Sequence, residues 1–145
     1  MLTGWQRVDG KWYFLGDDGA MVTGWLCRGE SWYYLSQSGA MVTGWQNIGG
    51  TWYYFEDSGV MKTGWLTLNN NWYYLDTNGA MKTGWHCSGG NWYYLRPSGA
   101  MATEWLEIGG KWYWFGTDGI MVHSTSIEIN GKTYEFDENG VCLNP

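Results

Sequence analysis

Apolar and polar positions along the chain recur with a period of twenty residues. In each period, two short segments of strand-forming residues, such as the Trp-Tyr-Tyr-Leu at 32–35, flank a polar pair of residues. The pairs consist of residues that tolerate the positive φ of type I′ and II′ hairpin turns. Each period therefore predicts one β-hairpin. The turn pairs are Asp9-Gly10, Gly29-Glu30, Gly49-Gly50, Asn69-Asn70, Gly89-Gly90, Gly109-Gly110 and Asn130-Gly131.

A two-residue turn also predicts the register of each hairpin and the face on which each side chain lies. In the first hairpin Val8 pairs with Lys11 and Trp5 with Phe14. Because side chains alternate along a strand, one face carries Trp5, Arg7, Trp12 and Phe14, and the other carries Gln6, Val8, Tyr13 and Leu15. The second face has the more regular apolar series and is predicted to be the core. Its members are Leu15, Leu35, Phe55, Leu75, Leu95 and Phe115, with Ile48, Leu68 and Ile108 opposite them.

An isolated hairpin is barely stable in water, whereas stacked hairpins share a core. The chain is therefore predicted to be all-β, a solenoid of stacked hairpins with one hairpin per repeat. It forms a single module over 1–145, with six full repeats over about 1–125 and a degenerate capping repeat over about 126–145. Met1 aligns with the methionine that closes each repeat, so we expect the chain to be part of a longer array with a further domain.

The degenerate repeat indicates how neighbouring repeats share a site. It has Ser126 and Thr133 where the other repeats have two Trp, yet Tyr134 and Phe136 preserve the core face. A terminal repeat has to cover its predecessor but has no successor of its own. We therefore predict that the two Trp of one repeat form a pocket that the first Tyr of the next repeat completes.

Composition and charge narrow the function. The 145 residues include 13 Trp, 11 Tyr and 23 Gly, and this aromatic content exceeds what a small core needs. The alternative, that every Trp belongs to the core, requires two Trp per hairpin on the face opposite the leucines. A net charge of −6 excludes a nucleic-acid binder that neutralises phosphates. No apolar run approaches the length of a membrane span, so no membrane insertion is expected.

Three aromatic rings around a small space are typical of a site for a quaternary ammonium group, which cannot donate strong N–H hydrogen bonds. Affinity on the order of millimolar per site is expected, with avidity for a polymer that carries many copies of the ligand. The alternative is a glucan or another neutral carbohydrate. Sugars also need polar groups aimed at their hydroxyls, and the variable position of the Trp face (Arg7, Cys27, Asn47, Thr67, Cys87, Glu107) supplies no regular set.

An enzyme is not predicted. His86 and His123 lie in different repeat contexts without a recurring nucleophile, and both are expected at the surface. Cys27, Cys87 and Cys142 show no metal-binding spacing and are expected to be free thiols. Neither a metal nor a cofactor is expected.

The pattern Gly-Trp…Gly-x-Trp-Tyr-Tyr-Leu…Ser-Gly-Ala-Met-x-Thr-Gly-Trp resembles the choline-binding (cell-wall-binding) repeats of Gram-positive surface proteins and phage lysins, over essentially the whole chain. The resemblance implies a left-handed superhelix of hairpins. It also implies choline boxed by two Trp of one hairpin and a Tyr of the next, often with a Met nearby. The implied partners are choline or phosphocholine of cell-wall teichoic or lipoteichoic acids, and the implied location is extracellular, at the bacterial cell wall.

Carried onto this chain, the resemblance and the face assignment together predict six choline-binding sites. They are Trp5, Trp12 and Tyr33; Trp25, Trp32 and Tyr53; Trp45, Trp52 and Tyr73; Trp65, Trp72 and Tyr93; Trp85, Trp92 and Tyr113; and Trp105, Trp112 and Tyr134. Two departures concern the sixth site. Glu104 replaces the Gly before Trp105, and one residue is inserted near His123. A packing role and a ligand role for the methionines both stay open.

Overall fold

The computed structural model describes residues 2–145, so the alignment of Met1 with the repeat methionines lies outside the described residues. Within that range the chain forms fourteen strands and no helix, and the strands pair two by two in chain order. The predicted all-β stack of hairpins, one per repeat, is confirmed. The strands are β1 (Gly4–Val8), β2 (Lys11–Leu15), β3 (Gly24–Arg28), β4 (Ser31–Leu35), β5 (Gly44–Ile48), β6 (Thr51–Phe55), β7 (Gly64–Leu68), β8 (Asn71–Leu75), β9 (Gly84–Ser88), β10 (Asn91–Leu95), β11 (Glu104–Ile108), β12 (Lys111–Phe115), β13 (Thr125–Ile129) and β14 (Lys132–Phe136).

The register of the hairpins is the predicted one. In β1 and β2 Val8 lies opposite Lys11 and Trp5 opposite Phe14. The degenerate last hairpin keeps the same register, with Ile127 opposite Tyr134. The two-residue turns thus set the pairing in the full repeats and in the cap alike. Two compact units can be distinguished, Met1–Leu66 with Leu75–Met81 and Thr67–Tyr74 with Lys82–Pro145, and each is described by itself below.

After each hairpin a second turn folds the chain back. In the second repeat the Gly39 N–H donates to the Ser36 carbonyl at 2.8 Å, and the Ser36 N–H donates to the Ala40 carbonyl at 2.9 Å. This turn brings Met41 opposite Leu35 in an isolated antiparallel bridge. The methionine that closes each repeat is therefore held beside the core residue of its own hairpin.

Backbone hydrogen bonds join each repeat to the one before it. In the first unit the N–H of Met41 donates to the Trp12 carbonyl and the N–H of Met61 to the Trp32 carbonyl, both at 2.8 Å. In the second unit the N–H of Met121 donates to the Trp92 carbonyl, and Cys142 makes the equivalent bond to Trp112, again at 2.8 Å. Cys142 thus keeps the backbone role of the methionine it replaces.

The predicted core series is confirmed from the second repeat onward. Leu35, Phe55 and Leu75 in the first unit, and Leu95 and Phe115 in the second, are fully buried. Leu15 of the first repeat is only half-buried, and Val8, on the same face of that hairpin, is exposed. The predicted residues opposite the series, Ile48, Leu68 and Ile108, are half-buried. Burial of this series therefore depends on stacking between repeats and not on the hairpin alone.

Phe14 lies on the face that alternation predicted for it, directly opposite Trp5. It is nevertheless buried, which the face assignment did not predict. Its ring lies edge-on to Trp5 with centroids 5.2 Å apart, and Tyr94 has the same relation to Trp85. The aromatic residue opposite the first Trp of a hairpin therefore packs against its ring.

The last repeat keeps the core face without the Trp pair, and its role as a cap stays a prediction. Ser126 and Thr133 are exposed, whereas Phe136 is buried and stacks on Trp105 at 5.9 Å. The side chain of Asn144 accepts from the Glu135 N–H at 2.9 Å and donates to the Thr133 carbonyl at 3.1 Å. These two bonds satisfy backbone groups at the edge of β14.

Glu104 has the backbone conformation of the glycine it replaces. Its φ is 64°, close to the 83° of Gly84 at the same position of the preceding repeat. We expect Glu104→Gly to raise the free energy of unfolding by about 0.5–1 kcal/mol, because a side chain is strained at positive φ. Guanidinium unfolding followed by near-UV circular dichroism measures the change. Gly84→Ala is the matched control and should lose a similar amount; a Glu104→Gly variant no more stable than the parent would contradict the prediction.

Candidate functional site

The second Trp of every full repeat is accessible. Trp12, Trp32, Trp52, Trp72, Trp92 and Trp112 are each 38–44% exposed. A core residue would lie near zero, as Phe115 does. The alternative that every Trp belongs to the core is therefore wrong.

The two Trp of a repeat form a corner. Alternation along paired strands places them diagonally on one face, with their ring planes 82–86° apart in the first, second, fifth and sixth repeats. The ring centroids lie 6.4 Å apart for Trp5 and Trp12, and 6.2 Å apart for Trp25 and Trp32. A small apolar cation in such a corner can contact two ring faces at once.

The first Tyr of the following repeat forms the third wall. In the first unit Tyr33 lies 5.0 Å from Trp5, and Tyr53 lies 5.0 Å from Trp25, measured between ring centroids. In the second unit Tyr113 lies 5.0 Å from Trp85. Three predicted triads are thereby brought together.

The sixth triad survives both departures from the repeat pattern. Tyr134 lies 4.9 Å from Trp105 despite the inserted residue. Ser124, next to the insertion, takes a positive φ of 54° and donates its N–H to the Asp137 carbonyl at 2.9 Å. The extra residue is therefore absorbed before β13 begins, so the cap hairpin keeps its position.

Two cavities in the first unit contain predicted triads. Trp5, Trp12 and Tyr33 line a cavity of about 230 Å³ together with Met41 and Ser58. Trp25, Trp32 and Tyr53 line one of about 400 Å³ together with Met61, Thr77 and Asn78. Both are open clefts of a size that suits a small ligand group.

The second unit contains two equivalent cavities. Trp85, Trp92 and Tyr113 line a cavity of about 370 Å³ together with Met121, Glu138 and Asn139. Trp105, Trp112 and Tyr134 line one of about 310 Å³ together with Pro145. Cys142 stands at the methionine position of this last site but is buried, and Pro145 forms the remaining wall.

Sequence reasoning missed the turn residues and left the methionines undecided. Met41, Met61 and Met121 line cavities. Each also packs against the glycine in the second turn of the following repeat, where an added Cβ would collide with the methionine sulfur. The methionines therefore pack between repeats and also line the cavities, and contact of a methionine with a ligand stays a prediction. In three of the four cavities the turn residues come from the repeat after next, so these sites draw on three successive repeats.

The two middle triads divide between the two units. Trp45 and Trp52 belong to the first unit and Tyr73 to the second; Trp65 belongs to the first, and Trp72 and Tyr93 belong to the second. These two triads stay predictions. Within the first unit Trp45 keeps the usual edge-on contact with Tyr54, at 5.2 Å.

In residues 2–145 no group of three or more His, Cys, Asp or Glu side chains is placed to hold a metal ion. Cys27, Cys87 and Cys142 are free thiols, as predicted. His123 is exposed as predicted, but the surface prediction was wrong for His86, whose half-buried ring packs on Tyr74 with centroids 4.0 Å apart. His86 stands at the core-face position that Leu106 fills in the next repeat, which explains its burial.

Electrostatics distinguish one site from the others. Burial raises the pKa of the Tyr113 hydroxyl, and the nearby carboxylate of Asp137 raises it further. Tyr113 therefore stays neutral throughout the physiological range.

Among residues 2–145, a search for helices that could span a membrane finds none.

The fold is similar to those of solved structures from Streptococcus pneumoniae and from phage Cp-1. CbpJ from Streptococcus pneumoniae is 41% identical with a TM-score of 0.92, over 98% of this chain and 52% of that protein. Choline binding protein F from the same species, solved with a peptidoglycan analogue, is 41% identical with a TM-score of 0.91, over 99% of this chain and 47% of that protein. The endolysin of phage Cp-1, solved with choline, is 34% identical with a TM-score of 0.60, over 90% of this chain and 41% of that protein. The chain thus spans about half the length of the first two.

The sequence also matches a known repeat family. No curated protein sequence matches the chain significantly. The family described as choline-binding repeat matches at residues 2–43, 42–83, 62–105, 82–125 and 102–142. Together with the hairpin stack and the aromatic corners, this match shows that the chain belongs to the choline-binding repeat family.

Proposed function

We propose that this chain is a non-catalytic module that binds the choline group of phosphocholine on teichoic or lipoteichoic acids and thereby holds a protein at the bacterial cell wall. The observation that carries the proposal is the three-sided aromatic corner, repeated with the same ring geometry in both units. We further propose that the 145 residues act as one binding module of a longer extracellular protein, in which any catalytic activity belongs to a separate domain.

The walls of these sites favour a trimethylammonium group over an ordinary ammonium ion. At the sites of Tyr33 and Tyr134 a cation of the chain already lies over one wall ring, Arg7 over Trp12 at 5.9 Å and Lys132 over Tyr134 at 4.9 Å. The residues that line the site of Tyr53 carry no charged side chain. A primary ammonium ion would lose its hydration there without gaining acceptors, which is costly. A trimethylammonium group loses little hydration, and each ring face contributes about 0.5–2 kcal/mol of cation–π attraction. Neutral sugars would need several fixed polar groups, and these sites offer no regular set.

Attachment to the cell wall is expected to depend on several sites binding at once. A single site of this kind is expected to bind choline with a dissociation constant on the order of millimolar. Several sites on one chain can engage a polymer that carries many choline groups, and the effective local concentration then multiplies the affinity. The module is therefore expected to be retained by a choline-bearing wall and released by free choline at a concentration that saturates the single sites.

The decisive experiment compares choline with its uncharged isostere, 3,3-dimethylbutan-1-ol, in a titration followed by tryptophan fluorescence. We expect saturation at millimolar choline and at least about tenfold weaker binding of the isostere, because the isostere lacks the charge that the ring faces attract. Equal affinity for the two would show that only the hydrophobic effect acts. A response to soluble glucan without a response to choline would identify a carbohydrate module instead. Retention on a quaternary amine resin, with elution by choline, tests attachment.

A further inference from the structure

The cavities differ most in the second turn contributed by the repeat after next. Ser58 from that turn lines the site of Tyr33, and Thr77 and Asn78 line the site of Tyr53. At the site of Tyr113 the corresponding residues are Glu138 and Asn139. The aromatic walls and the methionine are otherwise the same. Glu138 is thus the one acidic residue that lines any of the four described cavities.

Two of these sites form a matched pair. In both sites the turn begins with an aspartate, Asp76 in one and Asp137 in the other, whose N–H donates to a carbonyl four residues later. Both turns then place an asparagine in the cavity, Asn78 and Asn139. The difference in charge between the two sites is therefore Thr77 against Glu138.

We propose that Glu138 makes the site of Trp85, Trp92 and Tyr113 discriminate against phosphocholine in favour of choline without an adjacent phosphate, whereas the site of Trp25, Trp32 and Tyr53 accepts both. This inference rests on the proposed function, since it concerns ligands of the same cages. The carboxylate attracts a trimethylammonium ion in the aromatic corner. It repels a phosphate attached to that ion a few bonds away, and the like-charge repulsion cancels the attraction.

The expected size of the effect on affinity follows from the solvent exposure of Glu138. Glu138 lies at the open rim and is exposed, so its interactions are partly screened by water and salt. Exposed charge pairs contribute less than about 1 kcal/mol, which corresponds to at most about a fivefold change in affinity. We therefore expect the ratio of phosphocholine to choline dissociation constants to be about threefold to fivefold larger at this site than at the site with Thr77. The difference should shrink as the salt concentration rises.

The methionines give each site its own reporter. Met61 lines the site with Thr77, and Met121 lines the site with Glu138. Protein labelled with ¹³C at the methionine methyl groups can be titrated with choline chloride and then with phosphocholine. Single Met61→Leu and Met121→Leu variants serve to assign the two signals. The experiment thus measures both dissociation constants at both sites in one protein.

Two reciprocal variants complete the experiment. Glu138→Gln should lower the ratio of phosphocholine to choline dissociation constants reported by Met121 to the value reported by Met61. Thr77→Glu should raise the ratio reported by Met61 toward the value reported by Met121. Equal ratios at the two sites in the parent protein, or a ratio at Met121 unchanged by Glu138→Gln, would overturn the role of Glu138. If neither methyl signal responds to either ligand, the proposed choline function itself fails, so the two failures are distinguishable.

Discussion

Replacing Phe115 by alanine is expected to lower the free energy of unfolding of the second unit by about 3–5 kcal/mol. Phe115 is fully buried in a cluster with Ala102, Tyr113 and Met121. Its ring also lies 6.0 Å from that of Trp85. Removing the ring leaves a cavity beneath two walls of a proposed site, so affinity at that site should fall as well. Guanidinium unfolding followed by tryptophan fluorescence measures the loss.

Phe115→Leu is the matched control. Leu35, Leu75 and Leu95 fill the same position in other repeats and are fully buried there. A leucine is therefore compatible with the repeat, and its cost is expected to stay below about 1.5 kcal/mol. A Phe115→Ala variant as stable as Phe115→Leu would show that the packing of this position does not hold the unit together.

Replacing Trp32 by alanine is expected to weaken choline binding at one site about tenfold while leaving the fold intact. Trp32 is 43% exposed, so little core packing is lost. The variant removes one of three aromatic walls, and a desolvated ring face contributes up to about 2 kcal/mol. The methyl signal of Met61, which lines the same cavity, reports the change during a choline titration.

Met121 provides the internal control for this variant because it lines a site in the other unit. Its choline titration should be unchanged in Trp32→Ala, and retention on a quaternary amine resin should fall only slightly because the other sites remain. Trp32→Phe keeps an aromatic face and should lose less than alanine does. Complete loss of retention from Trp32→Ala alone would contradict the proposal that several quasi-independent sites contribute to binding.

The hairpins, their register and their core could be predicted from the order of residues because those features are local. A two-residue turn with positive φ permits one pairing of its flanks, so Trp5 opposite Phe14 followed directly. Side-chain alternation then separated the leucine series from the tryptophan pairs. The degenerate last repeat supplied the one non-local prediction, that the first Tyr of a repeat completes the preceding site, and the ring contacts bring those residues together.

The remaining features depend on how one repeat packs on the next, and a period of twenty residues carries no information about that distance or angle. Phe14 lies on the predicted face beside Trp5, but its burial was not predicted. His86 was assigned to the surface, yet it packs on Tyr74. Both side chains pack against neighbouring rings, and alternation within a single hairpin does not report how deeply a position is buried.

The repeat pattern likewise did not predict every residue that lines each site. The hydrogen bond from the Met61 N–H to the Trp32 carbonyl fixes how far successive repeats are offset. That offset brings Thr77 and Glu138, each from the repeat after next, to the rims of their sites. Residue order therefore determined the turn and register of each hairpin and the aromatic rings on each of its faces, since these follow from backbone sterics over a few residues. Contacts between repeats specified which third residue and which charge complete each cage, because they bring together positions that are distant along the chain.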